Sequence, residues 1–198
     1  MEVWIATTNK GKLIEFRTLF ESRGIVVKSP GDLPVYSAPP ETGKTFVENA
    51  RIKAKTMKAL KPGQWIIGED SGLEVIGLNK FPGIHSARYA GEKASDSENT
   101  MKLLKMMSLR SAEKREAQYV CTIVAYSPTG EEFIFEGFMK GQIARKPAGQ
   151  MGFGYDPVFV PEGQTQTLGE LDPGFKSKVS HRSVAARQFL EKALPTNV

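Results

Sequence analysis

Apolar positions along the chain switch between strand and helix periods, and the switches lay out the elements. Residues 3–7 form a short apolar run that reads as a first strand and ends in the polar turn Thr7-Thr8-Asn9-Lys10-Gly11-Lys12. Leu13, Phe16, Leu19 and Phe20 then recur at helical spacing, with Gly24 in place as a C-cap. Ile25-Val26-Val27 reads as a second strand, and residues 29–43 carry enough Pro and Gly to be mostly loop. Thr45-x-x-Glu48 has the form of a capping box and opens a helix that runs to about Leu60. Trp65-Ile66-Ile67 is a buried strand leading into Gly68-Glu69-Asp70-Ser71-Gly72. There an acid pair followed directly by a glycine predicts a tight turn that displays its carboxylates, before residues 73–76 resume strand character.

After a loop containing Pro82-Gly83, Ser95-x-x-Glu98 is a second capping box, with a helix through Met107. Residues 118–127 and 132–139 flank Pro128-Thr129-Gly130 as a β-hairpin. Residues 149–157 are a Gly-rich loop, and Ser180 caps a final helix through Leu194. There are no repeats, linkers or low-complexity tracts. Strands and helices alternate early and a hairpin comes later, which predicts one α/β domain over residues 1–198: a mixed sheet flanked by helices, with two lobes around a cleft.

Composition narrows the chemistry. A chain of 198 residues with 40% apolar and 25% charged residues has an ordinary globular balance. Its longest near-apolar run, residues 120–126, is too short to span a bilayer. The first residues lack the basic-then-apolar pattern of an export signal, so no membrane partner and a cytoplasmic location are expected. Cys121 is the one cysteine and His85 and His181 the two histidines, so an all-Cys/His zinc site lacks ligands. A metal, if bound, should be hard and oxygen-held, magnesium or manganese. The net charge of +5 serves solubility or an anionic partner, and without a basic run or aromatic-basic signature a nucleic-acid face is the weaker form of the second reading.

Five segments are candidates for that chemistry. In Thr7-Thr8-Asn9-Lys10-Gly11-Lys12 a helix start offers free N–H groups and partial positive charge to a phosphate, Gly11 permits close approach, and Lys10 and Lys12 add charge; an ordinary N-cap with solvated lysines has the same pattern. Gly43-Lys44-Thr45 is not the end of a phosphate loop, because the first glycine of that motif would fall at Ala38. Glu69 and Asp70 would be costly to bury without a counter-charge and could share a divalent cation with phosphate; a solvated acidic turn is the alternative. Glu41 is a surface acid unless it supplies a second metal ligand. Gly152-Phe153-Gly154-Tyr155-Asp156 could lay a ring against a base, or pack Phe153 and Tyr155 in the core. In Lys176-Ser177-Lys178-Val179-Ser180-His181-Arg182, Arg182 could read a base edge or a phosphate.

The order of these segments is more specific than any one of them. Thr7-Thr8-Asn9-x-x-Lys12, Glu41-Thr42-Gly43-x-Thr45-Phe46-x-Glu48-Asn49-Ala50, Asp70-Ser71-Gly72-Leu73, Pro82-Gly83-Ile84-x-Ser86-Ala87-Arg88-Tyr89, Gly152-Phe153-Gly154-Tyr155-Asp156-Pro157 and Ser180-His181-Arg182 together resemble the inosine triphosphate pyrophosphatase family. These Ham1-like proteins are also called noncanonical purine NTP pyrophosphatases, and the resemblance runs from about residue 3 to residue 194. It implies an elongated α/β fold with a cleft between lobes, a homodimer, and magnesium-dependent hydrolysis of dITP, ITP and XTP to the monophosphate and pyrophosphate.

By motif match, Asp70 resembles the family's general base and metal-associated carboxylate, and Glu41 its metal partner. Residues 7–12 resemble the triphosphate loop, with Ser71 in the matching substrate position. Phe153, Gly154, Tyr155 and Asp156 resemble the base-recognising residues together with His181 and Arg182, and Lys176 lies beside them. Glu69 stands where many bacterial members carry Asp, and Gln150-Met151 precedes Gly152 where a small residue is more usual. The alternatives are a Maf-like pyrophosphatase acting on pyrimidine or methylated nucleotides, and a noncatalytic nucleotide- or RNA-binding protein.

Overall fold

The computed structural model describes residues 1–109 and 114–193. The chain forms β1 (Glu2–Ile5), α1 (Lys10–Glu21), β2 (Val26–Lys28), α2 (Phe46–Leu60), β3 (Trp65–Val75), α3 (Asp96–Leu109), β4 (Glu116–Tyr126), β5 (Glu132–Ile143), β6 (Phe159–Pro161), α4 (Pro173–Val179) and α5 (His181–Ala193). Leu194, where the sequence places the end of the last helix, lies outside the described residues. Two compact units divide the chain: residues 1–70, 121–137 and 181–198 in the first, residues 71–120 and 138–180 in the second.

In the first unit the strands are ordered β2-β1-β3-β4-β5. β1 pairs in parallel with both β2 and β3. Successive side chains of a strand point to opposite faces, so one sheet carries two cores. Val3, Ile5, Ile67 and Cys121 meet Phe16 and Phe20 of α1 and Phe189 and Leu190 of α5 on one face. Trp4, Ile66 and Val124 meet Ala50, Ala54 and Met57 of α2 on the other. Gly68 shares the α2 face, and a Cβ there would stand 2.0 Å from the Ala50 carbonyl oxygen, so glycine sets how closely helix and strand approach.

In the second unit the order is β3-β4-β5-β6, with β5 and β6 antiparallel. Its core gathers Leu73, Val75, Leu103, Tyr119, Met139, Tyr155 and Phe159. Parallel and antiparallel pairs in one sheet make it mixed, as expected.

Local signals locate most ends. The Asn9 side chain accepts from the Lys12 N–H at the start of α1. Thr45 accepts from the Glu48 N–H, while the Glu48 carboxylate accepts from the Lys44 N–H, one residue earlier than in a standard capping box. Ser95 and Glu98 form their box in full. The hairpin turn closes between Ser127 and Gly130. Two expectations need correction, and one element was not foreseen. α1 ends on Ser22 as C-cap, with Gly24 two residues on at φ +68. The seven-residue α4, with Asp172 as N-cap and Pro173 in its first turn, precedes the final helix. The larger correction is that residues 68–72 are not a turn: β3 runs unbroken through them, with Glu69 and Asp70 buried at 0% and 5% exposure.

Candidate active site

Two adjacent carboxylates inside a strand require cations on both faces of the sheet. Glu69 follows Ile67 onto the α1–α5 face. Lys12 Nζ of α1 lies 2.7 Å from its Oε2, and Arg182 of α5 donates Nη2 and Nε to its Oε1 at 3.1 and 3.3 Å. The Cys121 thiol lies 3.5 Å from the same oxygen. Arg182 is 1% exposed and also pairs through Nη1 with Glu15 of α1. Burial alone would raise the Glu69 pKa, but Lys12, Arg182 and Lys53 outweigh it and hold the carboxyl well below its ordinary range. The Cys121 thiol is pushed up by burial and by the Glu69 charge.

Asp70 points to the α2 face. Lys53 of α2 lies 2.8 Å from Asp70 Oδ1, and the same ammonium lies 2.9 Å from Glu41 Oε1. Asn49, one helical turn before Lys53, donates to Asp70 Oδ2 at 3.4 Å and accepts from the Gly43 N–H at 2.8 Å. The second bond ties the Glu41 loop to α2, and a Cβ on Gly43 would come within 2.6 Å of the Asn49 oxygen. Burial raises the Asp70 pKa, opposed in part by Lys53 and Lys12. Burial would lower that of Lys53, but the charges of Asp70, Glu69 and Glu41 prevail and raise it.

The expected residues 7–12 surround the start of α1. Thr7 is buried and accepts from the Asn9 N–H, Thr8, Asn9 and Lys10 are exposed, and Gly11 is half-buried. Glu41 and Asp70 meet on Lys53, while Lys12 and Arg182 meet on the neighbouring Glu69. Sequence reasoning missed Lys53, Glu15 and the place of Cys121, and gave Asn49 no role beyond its place in the motif. Lys53 had a signal in its spacing, four residues after Asn49 on a helix already recognised.

The second unit holds another buried acid. Asp156, 1% exposed, accepts from Lys176 Nζ at 2.6 Å, from the Phe153 N–H at 2.9 Å and from the Tyr119 hydroxyl at 3.2 Å. The Lys176 ammonium stands 4.3 Å from the centroid of the Phe153 ring. Gly152 has φ +77, and a Cβ there would lie 2.0 Å from Asp156 Oδ2. Phe153 and Gly154 line a cavity of about 290 Å³ with Asp96, Thr100 and Met101. Tyr155 is a core residue whose hydroxyl donates to the Ser86 carbonyl at 2.8 Å, and burial raises its pKa. Ser71 follows Asp70 on β3, half-buried, and His181 opens α5 at 3% exposure.

Among Glu15, Glu41, Glu69 and Asp70, four carboxylates face the three cations Lys12, Lys53 and Arg182. Two of those acids, from a loop and a strand, already converge on one positive charge, and their hard oxygen donors suit magnesium. Among the described residues no three His, Cys, Asp or Glu are grouped to hold a metal ion. No helix among the described residues is long and apolar enough to cross a membrane.

The Ham1 family matches residues 3–192 of the chain. The dITP/XTP pyrophosphatase of Bdellovibrio bacteriovorus is 61% identical over 198 residues, all of both chains, and that of Bacillus licheniformis 44% over 188 residues, 95% of each. Among solved structures, a HAM1 protein from Coxiella burnetii superposes with a TM-score of 0.86 at 37% identity, covering 96% of both chains. The Ham1 protein of Staphylococcus aureus gives 0.82 at 39% identity, with the same coverage.

Proposed function

The chain belongs to the Ham1 family, and we propose that it hydrolyses dITP, XTP and ITP to the monophosphate and pyrophosphate, clearing noncanonical purines from the nucleotide pool. The observation that carries this reading is the convergence of Glu41 and Asp70 on a single cation, one strand position from the Glu69 that fixes Lys12.

Water attacks the α-phosphorus in line and pyrophosphate leaves. Asp70 accepts the proton of that water as the general base. Lys12, oriented by Glu69, and the first-turn N–H groups of α1 take up the charge of the departing pyrophosphate. Magnesium, with manganese as a substitute, is the ion Glu41 and Asp70 would hold, and it would neutralise phosphate charge.

Base choice is assigned to residues 153–156 and Lys176 of the second unit, while Arg182, which the resemblance also made a base reader, pairs with Glu69 and Glu15. Lys176, fixed by Asp156 over the Phe153 ring, offers a donor beside an aromatic face. A 6-oxo group accepts from such a donor, whereas the 6-amino group of adenine cannot and leaves it unsatisfied. Homodimeric assembly, cytoplasmic residence and the lack of a stable nucleic-acid partner belong to the same reading.

Pyrophosphate release from ITP, XTP, dTTP and ATP, with magnesium and with chelator, tests it. Release from ITP and XTP far above ATP and dTTP, abolished by chelator, is expected. A preference for dTTP would point to a pyrimidine-directed relative, and binding without release would overturn catalysis.

A further inference from the structure

Lys53 stands where a shared metal ion would be expected. Its ammonium is 2.8 Å from Asp70 Oδ1 and 2.9 Å from Glu41 Oε1, and its side chain is only 12% exposed. The other two cations of the cluster, Lys12 and Arg182, pair with Glu69 on the opposite face of the sheet. Without Lys53, Glu41 and Asp70 would face each other as like charges.

We propose that Lys53 is an exchangeable internal cation, holding Glu41 and Asp70 together in the metal-free protein and leaving them when a divalent ion takes the same two oxygens. The inference rests on the reading of those acids as the metal-holding pair. Magnesium sits about 2.0 to 2.1 Å from its oxygen ligands, inside the hydrogen-bonding distance of an ammonium. An ion drawing on both oxygens would therefore enter the space Lys53 fills, with two positive charges facing one. Lysine suits the part: a point charge on a flexible four-carbon stem, where arginine's planar fork would be held more rigidly. Once released, the ammonium is available to phosphate oxygens, so binding of the ion would ready a cation for the anionic substrate.

The test measures Mn2+ affinity of the full chain by electron paramagnetic resonance, without nucleotide, in the wild type and in Lys53→Met, Glu41→Gln and Asp70→Asn. Removing the competing ammonium should tighten Mn2+ binding at least about tenfold. Equal or weaker binding in Lys53→Met overturns the exchange. If Glu41→Gln and Asp70→Asn lose Mn2+ in that same result, the metal-holding reading stands and only the exchange has failed. Mn2+ binding undiminished by both acid variants, or absent throughout, overturns the metal-holding reading and the exchange with it.

A second measurement needs no variant. Reductive methylation of wild-type Lys53, read by peptide mass spectrometry against the exposed Lys55, should rise several-fold on saturation with magnesium. An unchanged ratio between the two lysines overturns the proposal.

Discussion

On the α1–α5 face of the first unit's sheet, Glu69 is held by two direct ion pairs and kept well below its ordinary pKa. On the α2 face, one residue later, Asp70 makes one ion pair, shares that lysine with Glu41, and is pushed above its ordinary pKa. Burial acts on both carboxylates in the same sense, so the difference lies in how many cations reach each face. A carboxylate saturated with cations anchors structure. One that shares its cation and leaves Oδ2 with a 3.4 Å contact is held less firmly. On the proposed function, adjacent acids in one strand would divide into a strut and a working group.

The sharpest way to break this division is Asp70→Asn, which should lower kcat for pyrophosphate release by about 10² to 10⁴ while nucleotide affinity changes little. Near-wild-type turnover would remove Asp70 from the chemistry. On the opposite face, Arg182→Ala leaves fully buried Glu69 with one direct ion pair in place of two and should cost about 3 to 5 kcal/mol of folding stability in denaturant titration. A loss below 1 kcal/mol would mean the Glu69 side is no strut.

Glu69→Gln, compared with wild type in chelator, adds a pH signature. The native pKa of Glu69 lies below its ordinary 4.5, so the unfolded chain takes up the proton first. Its contribution to stability is present above pH 4.5 and lost as the pH falls toward the native value, so the gap between the two proteins should shrink on acidification. Asp70 has the opposite sign: its pKa is raised above 3.8, so its contribution declines as pH rises past that point. A gap that widened in acid would contradict the cation count.

Gly68→Ala probes how closely the α2 face is packed. The added methyl would meet the Ala50 carbonyl at 2.0 Å and push on α2, with an expected loss of about 1 to 3 kcal/mol and a fall in kcat as Lys53 shifts. The smallest effect belongs to the second unit. Lys176→Met should lower the preference for ITP over ATP by about tenfold, with kcat on ITP less affected than in Asp70→Asn.

Much of the fold was legible because its signals are local. The caps at Asn9, Thr45 and Ser95 are bonds between a side chain and an N–H three residues on, and sequence spacing contains them directly. The hairpin at Pro128-Thr129-Gly130 is equally local. The acid segment was misread for the converse reason. Gly72 after the acid pair looks like turn punctuation, but Gly68 is there for the approach of α2, and the strand continues because distant cations make two buried acids tolerable. Alternation within a strand would have sent Glu69 and Asp70 to opposite faces; what was missing was the knowledge that the strand did not break. The short α4 carried a signal in Asp172-Pro173 that went unread.

The sequence by itself determined the order of most elements, the capped helix starts and the inventory of acids and bases. Tertiary structure alone decided which cation meets which acid. Lys12 reaches Glu69 across 57 positions and Arg182 across 113, pairings that no local period encodes. A hydrogen bond to a near neighbour is fixed by backbone geometry. The state of a buried charge is fixed by every charge the folded chain brings to it, and that sum exists only once the sheet and its helices have closed.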